Sequence, residues 1–259
     1  MTAGIMEFWG LNGEPVATTP TTWEVVGKYI LKSVGTENAA LNNIRLTAAL
    51  RSYGVPVPHI MKTTVASIAY ETGIVIGKIH CAFMTVSDNK TEANHFQEEL
   101  MGWISRELTG SSLLTKEEWS GPIEALCSIY PQLPRQQIHR DLHYGNLLFE
   151  GTTLTGVLDF DLGKQDARLF DIAYFLAGQL LGTKDLMAMK HKWIRFISQF
   201  LSGYESMIVL ENNEKKALPL MMQCIELLFI AFWQQQANQE AAAETLQIFK
   251  FMEHVHSQE

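Results

Sequence analysis

The chain has 259 residues, of which 47% are hydrophobic and 19% are charged, and its formal net charge at pH 7 is −8. This length suits one large domain or two small lobes, and the apolar share can fill a sizeable core, which argues against a disordered chain. The acidic balance argues against a nucleic-acid-binding protein, because such a protein would present a basic contact surface.

The cysteines and the apolar segments exclude further classes of protein. Cys81, Cys127 and Cys224 lie far apart and form no CxxC pair, so they give little support to a metal site or a disulfide framework. The segment Met1–Gly13 has no basic region followed by a long apolar run, and Ile225–Trp233 is too short to cross a bilayer. We therefore expect a cytoplasmic protein with no membrane partner.

The first third of the chain reads as strands followed by a helix. Two runs of aromatic and β-branched residues, Trp23–Val26 and Tyr29–Val34, are separated by two residues and predict a hairpin. The Thr- and Pro-rich segment 17–22 predicts a loop before it. Helical spacing over Glu37–Arg51 predicts a helix that must end by Gly54.

The rest of the chain reads mainly as helices, with a short insert of strands. Strands first and helices afterwards indicate a two-lobed α+β protein. We place a strand-rich N-lobe at 1–64 and a helical C-lobe at 65–259. Helices are predicted over 73–83, 91–108, 115–130, 167–181, 184–204, 211–239 and 241–256, with Thr115 and Glu118 forming a capping box, and extended pieces over 137–141, 147–149 and 157–160.

The most informative segment begins at Ile138 and reads I-H-R-D-L-H-Y-G-N-L-L-F, then G-V-L-D-F-D, then F-D-I-A-Y-F-L. His139, Asp141 and Asn146 match the pattern H-x-D-x-x-x-x-N, and Asp159 follows after a spacer long enough for one β-hairpin. A single HxD triplet arises easily by chance, and a lone Asp after a strand can be a turn residue. The complete ordered set, with apolar runs beside it, is hard to attribute to chance.

This segment resembles the aminoglycoside phosphotransferase and choline kinase superfamily, which is related to the protein kinases. The resemblance is closest to the bacterial homoserine-kinase-like branch, is specific over Ile138–Gly178 and is weaker elsewhere. His143 stands where protein kinases usually carry Lys or Arg, and H-x-D-x-H is similar to the small-molecule kinases. The resemblance implies a protein-kinase-like fold and an enzyme that moves the γ-phosphate of ATP or GTP to a hydroxyl of an amino-alcohol, an aminoglycoside or another small molecule.

The resemblance also implies roles for three of these side chains. Phosphoryl transfer needs a carboxylate near the attacking hydroxyl to orient it and to accept its proton, and Asp141 is the implied base. Asn146 and Asp159 are the implied ligands of Mg²⁺, a cation that prefers oxygen donors and keeps several waters. A hairpin between the two ligands would bring them together although they are distant in sequence.

Four further residues complete the predicted site. His139 and His143 join Asp141 as catalytic-loop candidates, with His139 also a support of the loop. Asp171 lies between apolar residues and should be buried, so its oxygens need hydrogen-bond donors. We expect those donors to be the backbone N–H groups of residues 139–141, which makes Asp171 a support. Asp161 could reach the metal or the substrate, or could be a solvated loop carboxylate.

Two features of the N-lobe are assigned to the nucleotide. Lys32 lies in Y-I-L-K-S-V, which is similar to the strand whose lysine contacts the α- and β-phosphates. The alternative is a surface lysine, but the order of its aromatic and aliphatic neighbours favours the phosphate contact. Thr21 and Thr22 belong to the loop that would cover the phosphates. There is no GxGxxG motif, and small-molecule kinases often use hydroxyl-rich loops instead.

The sequence departs from the family in two places. The helix before Gly54 should carry a glutamate that pairs with the strand lysine, but Asn42 and Asn43 stand there, with Glu37 as a substitute. The stretch 58–80 is also short, since two strands and an adenine-binding hinge need about 30 residues. Two explanations stay open: either the N-lobe is reduced, or a mobile stretch is absent from this sequence.

Two classes of function therefore remain. The first is a small-molecule kinase that uses Mg²⁺ and ATP or GTP. The second is a catalytically weak or inactive kinase-like protein that binds a nucleotide or a partner, which the departures favour and the complete set of Asp141, Asn146 and Asp159 disfavours. A Ser/Thr protein kinase is a weaker third reading, because the segment 159–171 is too short for a peptide-docking loop. The acceptor, the nucleotide and the oligomeric state stay open.

Overall fold

The computed structural model describes residues 16–19, 22–25, 29–32, 65–86, 94–150 and 153–256, with side chains over 68–85, 94–148 and 156–256. The predicted helix over 37–51, its asparagines and its end by Gly54 lie outside these residues, as do 58–64 and Thr21. Residues 65–80 are helical, so this part of the short stretch contains no hinge strand.

The N-terminal strands form one antiparallel sheet. Its strands are β1 (Val16–Thr19), β2 (Thr22–Val25) and β3 (Tyr29–Lys32), in that order. The pairing of β2 with β3 confirms the predicted hairpin. The predicted loop over 17–22 is wrong in part, because residues 17–19 belong to β1. Threonine is β-branched and suits a pleated strand, and only the two residues between Thr19 and Thr22 connect β1 to β2.

Eight helices account for most of the described part of the C-lobe, and most lie where helices were predicted, although the first begins at residue 65 instead of 73. The capping box is confirmed, since the Glu118 N–H donates to Thr115 Oγ1 (3.4 Å) and the Thr115 N–H to Glu118 Oε2 (2.6 Å). The helices are α1 (Val65–Val86), α2 (His95–Glu99), α3 (Ser105–Thr109), α4 (Lys116–Ile129), α5 (Leu169–Gly178), α6 (Leu186–Glu205), α7 (Asn212–Gln235) and α8 (Gln239–His256).

The predicted helix over 91–108 is interrupted within its described part. A π-helical turn over Leu100–Ile104 separates α2 from α3. The Ser105 hydroxyl donates to the carbonyl of Leu100, five residues earlier, at 2.5 Å, which suits the wider turn. Hydrophobic periodicity does not distinguish such a turn from a continuous helix.

Helices α1 and α6 pack with their backbones in close approach. A Cβ atom added at Gly73 would lie 2.1 Å from the carbonyl oxygen of Phe200, and one added at Gly203 would lie 2.0 Å from that of Tyr70. Only glycine leaves room for these contacts. The close approach fixes the position of His80 near the end of α1 and of Tyr204 in α6, and both side chains are fully buried.

The centre of the C-lobe is α5, which is apolar on nearly every face and therefore buried. It packs against α7, which in turn packs against α4 and α8. Large aromatic and aliphatic side chains fill the space between these helices. Those that are almost completely buried include Phe96, Leu126, Tyr130, Phe170, Phe175, Phe200, Tyr204 and Phe249.

Helix α7 is longer than the apolar stretch 225–233, which by itself is too short to cross a membrane. Its 24 residues suffice for a span by length and composition, and 61% of its most apolar window is buried within the fold. One such helix is weak evidence for a membrane span, because the core helix of a folded domain passes the same test.

Four short strands surround the segment with the predicted site. Strand β4 (Arg135–Ile138) pairs antiparallel with β7 (Lys164–Ala167), and between them lies the hairpin of β5 (Leu147–Glu150) and β6 (Thr153–Val157). The hairpin confirms the prediction, whereas β7 was not predicted because its sequence K-Q-D-A favours no strand. The predicted extended pieces 137–141 and 157–160 stop at 138 and 157, where the chain turns into the site.

Candidate active site

The segment 139–146, which we call the HxD loop, begins where β4 ends and is held by Asp171. This carboxylate is completely buried in the first turn of α5. Its Oδ2 accepts the backbone N–H of His139 (2.8 Å) and its Oδ1 accepts that of Arg140 (2.7 Å). Arg140 takes the left-handed conformation with φ of 70°, and two successive N–H groups therefore meet one carboxylate. The role of Asp171 in turnover stays a prediction.

A second group reaches Asp171 from the opposite side, and sequence reasoning missed it. His80 Nε2 lies 3.2 Å from Asp171 Oδ2, and His80 Nδ1 lies 2.8 Å from the Tyr204 hydroxyl. Burial, partly offset by Arg168, raises the pKa of Tyr204, so the phenol stays protonated and donates to Nδ1. Helices α1 and α6 thus support the HxD loop through a buried chain of hydrogen bonds. The sequence gives no sign that these two helices are neighbours.

The carboxylate of Asp141 is fixed by two donors. The Tyr174 hydroxyl donates to Oδ1 (2.9 Å), and the Asn146 side-chain amide donates to Oδ2 (3.1 Å). Tyr174 was missed, although its position three residues after Asp171 on the same helix places both on one face. Burial and then the charge of Asp141 raise the pKa of Tyr174, so Tyr174 remains a donor at neutral pH.

The two histidines of the HxD loop differ in exposure and in the contacts of their ring nitrogens. His139 accepts the Asp141 N–H at Nδ1 (3.3 Å) and donates from Nε2 to the Leu158 carbonyl (2.8 Å), so both ring nitrogens are engaged within the protein. His143 is exposed, accepts the Gly145 N–H at Nδ1 (3.0 Å) and has Nε2 at 3.5 Å from Asp141 Oδ2. His139 therefore has the geometry of a loop support, whereas His143 faces outward beside Asp141.

Asn146 and Asp159 are brought to one end of the hairpin. The Leu158 N–H donates to the Asn146 carbonyl at 2.9 Å, which places Asp159 one residue beyond this pair. The Asn146 amide nitrogen donates to both Asp141 O (2.9 Å) and Asp141 Oδ2 (3.1 Å). This orients the amide and leaves Oδ1, a hard oxygen donor, without a protein partner in the part of the chain that the structure describes.

The segment 158–162 is exposed and carries two candidate carboxylates, Asp159 and Asp161. Asp159 has φ of 60°, and neither Asp159 nor Asp161 makes a hydrogen bond to any described residue. No group of three or more His, Cys, Asp or Glu side chains suited to a metal occurs among the described residues. One amide oxygen and one carboxylate still fit Mg²⁺, because this ion takes few protein ligands and completes its shell with water and phosphate oxygens.

The HxD loop is also tied to α2 on its other side. The Arg140 guanidinium forms an ion pair with Glu99, which Lys164 also approaches at 3.8 Å, and it lies 5.3 Å above the Phe170 ring. These contacts turn Arg140 away from Asp141. The cationic side chain next to the predicted base therefore serves the loop rather than a phosphate.

The candidate nucleotide residues lie on the N-terminal sheet. Lys32 ends β3 and pairs with Thr22, the first residue of β2. The hairpin thus brings together two of the three predicted phosphate contacts. Their side chains lie outside the described part of the structure, as does the whole of Thr21, so their contacts with phosphate stay predictions.

Comparisons with known proteins agree with this geometry. The model of the phosphotransferase enzyme family (APH) matches residues 64–212. A homoserine kinase of Zymomonas mobilis is 26% identical over 167 residues, which are 61% of this chain and 49% of that protein. One of Gluconobacter oxydans is 30% identical over 108 residues, 42% of this chain and 33% of that protein. The matches therefore span half or less of the length of these relatives.

Solved structures show the same fold at low sequence identity. An amicoumacin kinase in complex with AMP-PNP, Ca²⁺ and Ami is 15% identical, with a TM-score of 0.53 over 95% of this chain and 88% of that chain. A glucosamine kinase is 13% identical, with a TM-score of 0.54 over 98% of this chain and 70% of that chain. With the family model covering more than half of its length, the chain belongs to the phosphotransferase enzyme family and has a kinase-like α+β fold.

Proposed function

We propose that this protein is a small-molecule kinase that transfers the γ-phosphate of ATP, or of GTP, to a hydroxyl group of its acceptor. Membership of the phosphotransferase family supports the class of reaction. The observation that carries the proposal is the geometry of Asp141. Its carboxylate is half-buried, is oriented by Tyr174 and Asn146, and lies on a loop that Asp171 holds in place.

In the proposed reaction, the acceptor hydroxyl donates a hydrogen bond to Asp141. The carboxylate aims the oxygen at the γ-phosphorus and takes its proton as the new P–O bond forms. The bond from the γ-phosphorus to the β–γ bridging oxygen breaks, and the nucleoside diphosphate leaves. Since phosphoryl transfer depends mainly on positioning and charge, a carboxylate fixed by two donors suits this task. His143, with Nε2 beside Asp141, would contact the acceptor or a phosphate oxygen.

The remaining proposed roles concern the nucleotide. Asn146, through Oδ1, and Asp159 would hold Mg²⁺, which when bound neutralises charge on the phosphate oxygens. Lys32 would contact the α- and β-phosphates, with Thr21 and Thr22 covering them. Asp161 is proposed as a further site residue close to Asp159, where its exposed carboxylate could reach the metal or the acceptor.

The proposed acceptor is an amino-alcohol in the broad sense. The relatives are named for homoserine and the structural neighbours for glucosamine and amicoumacin. Homoserine and glucosamine each carry a hydroxyl and an amine. We carry over this shared chemistry and none of the individual names, because the matches cover only part of the relatives' length.

A weak or inactive nucleotide-binding protein is the second candidate. The asparagines at 42 and 43, where the family carries the glutamate that pairs with the strand lysine, favour it. The ordered HxD loop disfavours it, because a protein without catalysis has no need to hold Asp141 with two donors. Activity separates the two candidates.

The test is to incubate the purified protein with ATP, Mg²⁺ and a panel of amino-alcohols, sugars and aminoglycosides, and to detect phosphorylated acceptors by mass spectrometry. The expected result is a phosphorylated product that requires Mg²⁺. Thermal shift with Mg²⁺ and ATP serves as the companion measurement, since binding to the native state raises its stability. Stabilisation by MgATP without any phosphorylated product would favour the second candidate.

A further inference from the structure

Helix α7 carries a carboxylate within its most apolar stretch. Glu226 lies between Ile225 and Leu227 and is only 3% exposed. Its Oε2 is buried without a hydrogen-bond partner among the described residues, and no cationic side chain of the described part forms an ion pair with it. A buried carboxylate without a partner is costly and is usually found only where a function requires it.

The surroundings of Glu226 favour a cation that the protein itself does not supply. Burial, reinforced by the charge of Glu244, raises the pKa of Glu226 to about 8. The charge of Glu244, which contributes to this raised pKa, has the same sign as that of an ionised Glu226. A ligand with a positive charge would restore the ionised form and satisfy the unpaired oxygen at once.

The position of Glu226 relates it to the predicted base. Phe229, one helical turn further along α7, lies 5.8 Å from the ring of Tyr174. The hydroxyl of Tyr174 donates to Asp141 Oδ1 at 2.9 Å. After burial and Asp141, the charge of Glu226 also contributes to the raised pKa of Tyr174. Glu226 therefore lies on the part of α7 that packs against α5 near Tyr174, whose hydroxyl contacts Asp141.

We propose that Glu226 binds the protonated amine of the phosphate acceptor while the acceptor hydroxyl lies at Asp141. This rests on the proposed kinase function. An ammonium group brings three N–H donors and a unit charge, which is what Glu226 lacks. The two carboxylates together would then select acceptors that carry both an amine and a hydroxyl, and a neutral alcohol would leave Glu226 buried and unpaired.

The test compares the binding of amines with that of their neutral counterparts, without nucleotide turnover. Glucosamine and glucose, and L-homoserine and 4-hydroxybutanoate, are titrated calorimetrically into the wild type, Glu226→Gln and Glu244→Gln in a buffer without primary amines. In the wild type, at least one amine should bind about tenfold or more tightly than its counterpart. Glu226→Gln should remove this preference, and Glu244→Gln, which removes the neighbouring exposed charge, should keep it.

Two outcomes would overturn the inference. In the first, no amine binds the wild type more tightly than its counterpart, and in the second Glu226→Gln discriminates as well as the wild type does. Glu226→Gln should fold, because burial already disfavours the charge, and its melting curve checks this. If it does not fold, Glu226→Met, which removes the carboxylate and keeps the length of the side chain, replaces it, and an unchanged preference for amines in that variant counts against the inference.

Phosphoryl transfer is measured separately on the same preparations. Amine preference that depends on Glu226 but occurs without any transfer would refute the kinase proposal and leave the amine site standing. Transfer to neutral alcohols without amine preference would refute the amine site alone.

Discussion

The side of the proposed site that carries Asp141 differs from the side that carries Asp159 in how the protein holds the two carboxylates. Asp141 receives hydrogen bonds from Tyr174 and Asn146, and its loop is tied to the buried Asp171. Asp159 is exposed, takes a left-handed backbone conformation and has no hydrogen-bond partner among the described residues.

This difference indicates which part of the proposed site is ordered before a ligand binds and which part has oxygen atoms available for a ligand. The base side is organised by the chain itself before any ligand arrives, since the carboxylates of Asp171 and Asp141 both accept hydrogen bonds from protein donors. The metal side presents oxygen donors, Asn146 Oδ1 and the Asp159 carboxylate, that remain available. Loss of the buried support Asp171 should therefore lower the stability of the protein, whereas loss of a proposed metal ligand should affect mainly the binding of MgATP.

The largest effect is expected at Asp171. Asp171→Ala would leave the buried N–H groups of His139 and Arg140 without acceptors, at about 1 to 3 kcal/mol each, so both stability and phosphoryl transfer should fall. Asp171→Asn keeps one acceptor oxygen, and its melting temperature should lie between those of Asp171→Ala and the wild type. Thermal melts without ligand are the measurement. A wild-type melting temperature for Asp171→Ala would show that the base side does not depend on this carboxylate.

Asp159→Ala should produce the opposite pattern. The free protein should lose about 1 kcal/mol at most, the cost of placing Ala in the left-handed region that Asp tolerates better. Calorimetric titration of ATP with and without Mg²⁺ should give equal affinities, because the carboxylate proposed to hold the ion is gone. Retained dependence on Mg²⁺ would mean that the metal is held elsewhere, with Asp161 as the next residue to change.

The buried Glu226 should make the stability of the protein depend on pH. Its pKa is raised from 4.5 to about 8 in the fold, so between these values the native state keeps a proton that the unfolded chain has released. The free energy of unfolding should therefore fall as pH rises across this window, by up to about 1.4 kcal/mol per pH unit. Urea melts of the wild type and Glu226→Gln at several pH values measure this, and equal slopes would contradict it.

A smaller effect is expected from Tyr174→Phe. The mutation removes one donor from Asp141 and keeps the ring that packs against Phe170 and Phe229. Turnover should fall about tenfold with a nearly unchanged melting temperature. Unchanged turnover would show that Asn146 alone is enough to orient Asp141.

The sequence was sufficient for those parts of the site that lie close together along the chain. The order of His139, Asp141, Asn146 and Asp159 predicts the hairpin, because the spacer has the length of two short strands and a turn. The contacts of Asp171 follow from a physical argument, since a carboxylate in an apolar helix needs donors and the adjacent loop offers unpaired N–H groups.

The sequence was insufficient where the contact partners are distant. The link from Tyr204 through His80 to Asp171 depends on the close approach of α1 and α6, which neither helix indicates by itself. Strand β7 exists because β4 lies beside it, and its own residues favour no strand. The buried ion pair of Arg168 with Glu214, at 2.7 Å, likewise joins two residues that look like surface charges in the sequence.

The most direct test of the account is phosphoryl transfer by Asp141→Asn, measured with the acceptor found in the panel. The substitution keeps the shape of the side chain and an oxygen that can accept from Tyr174, but it removes the carboxylate that is proposed to take the proton. We predict that transfer falls on the order of 10²-fold or more, while MgATP binding and the melting temperature match the wild type. Transfer near the wild-type rate would contradict the account, because Asp141 would then have no part in the reaction.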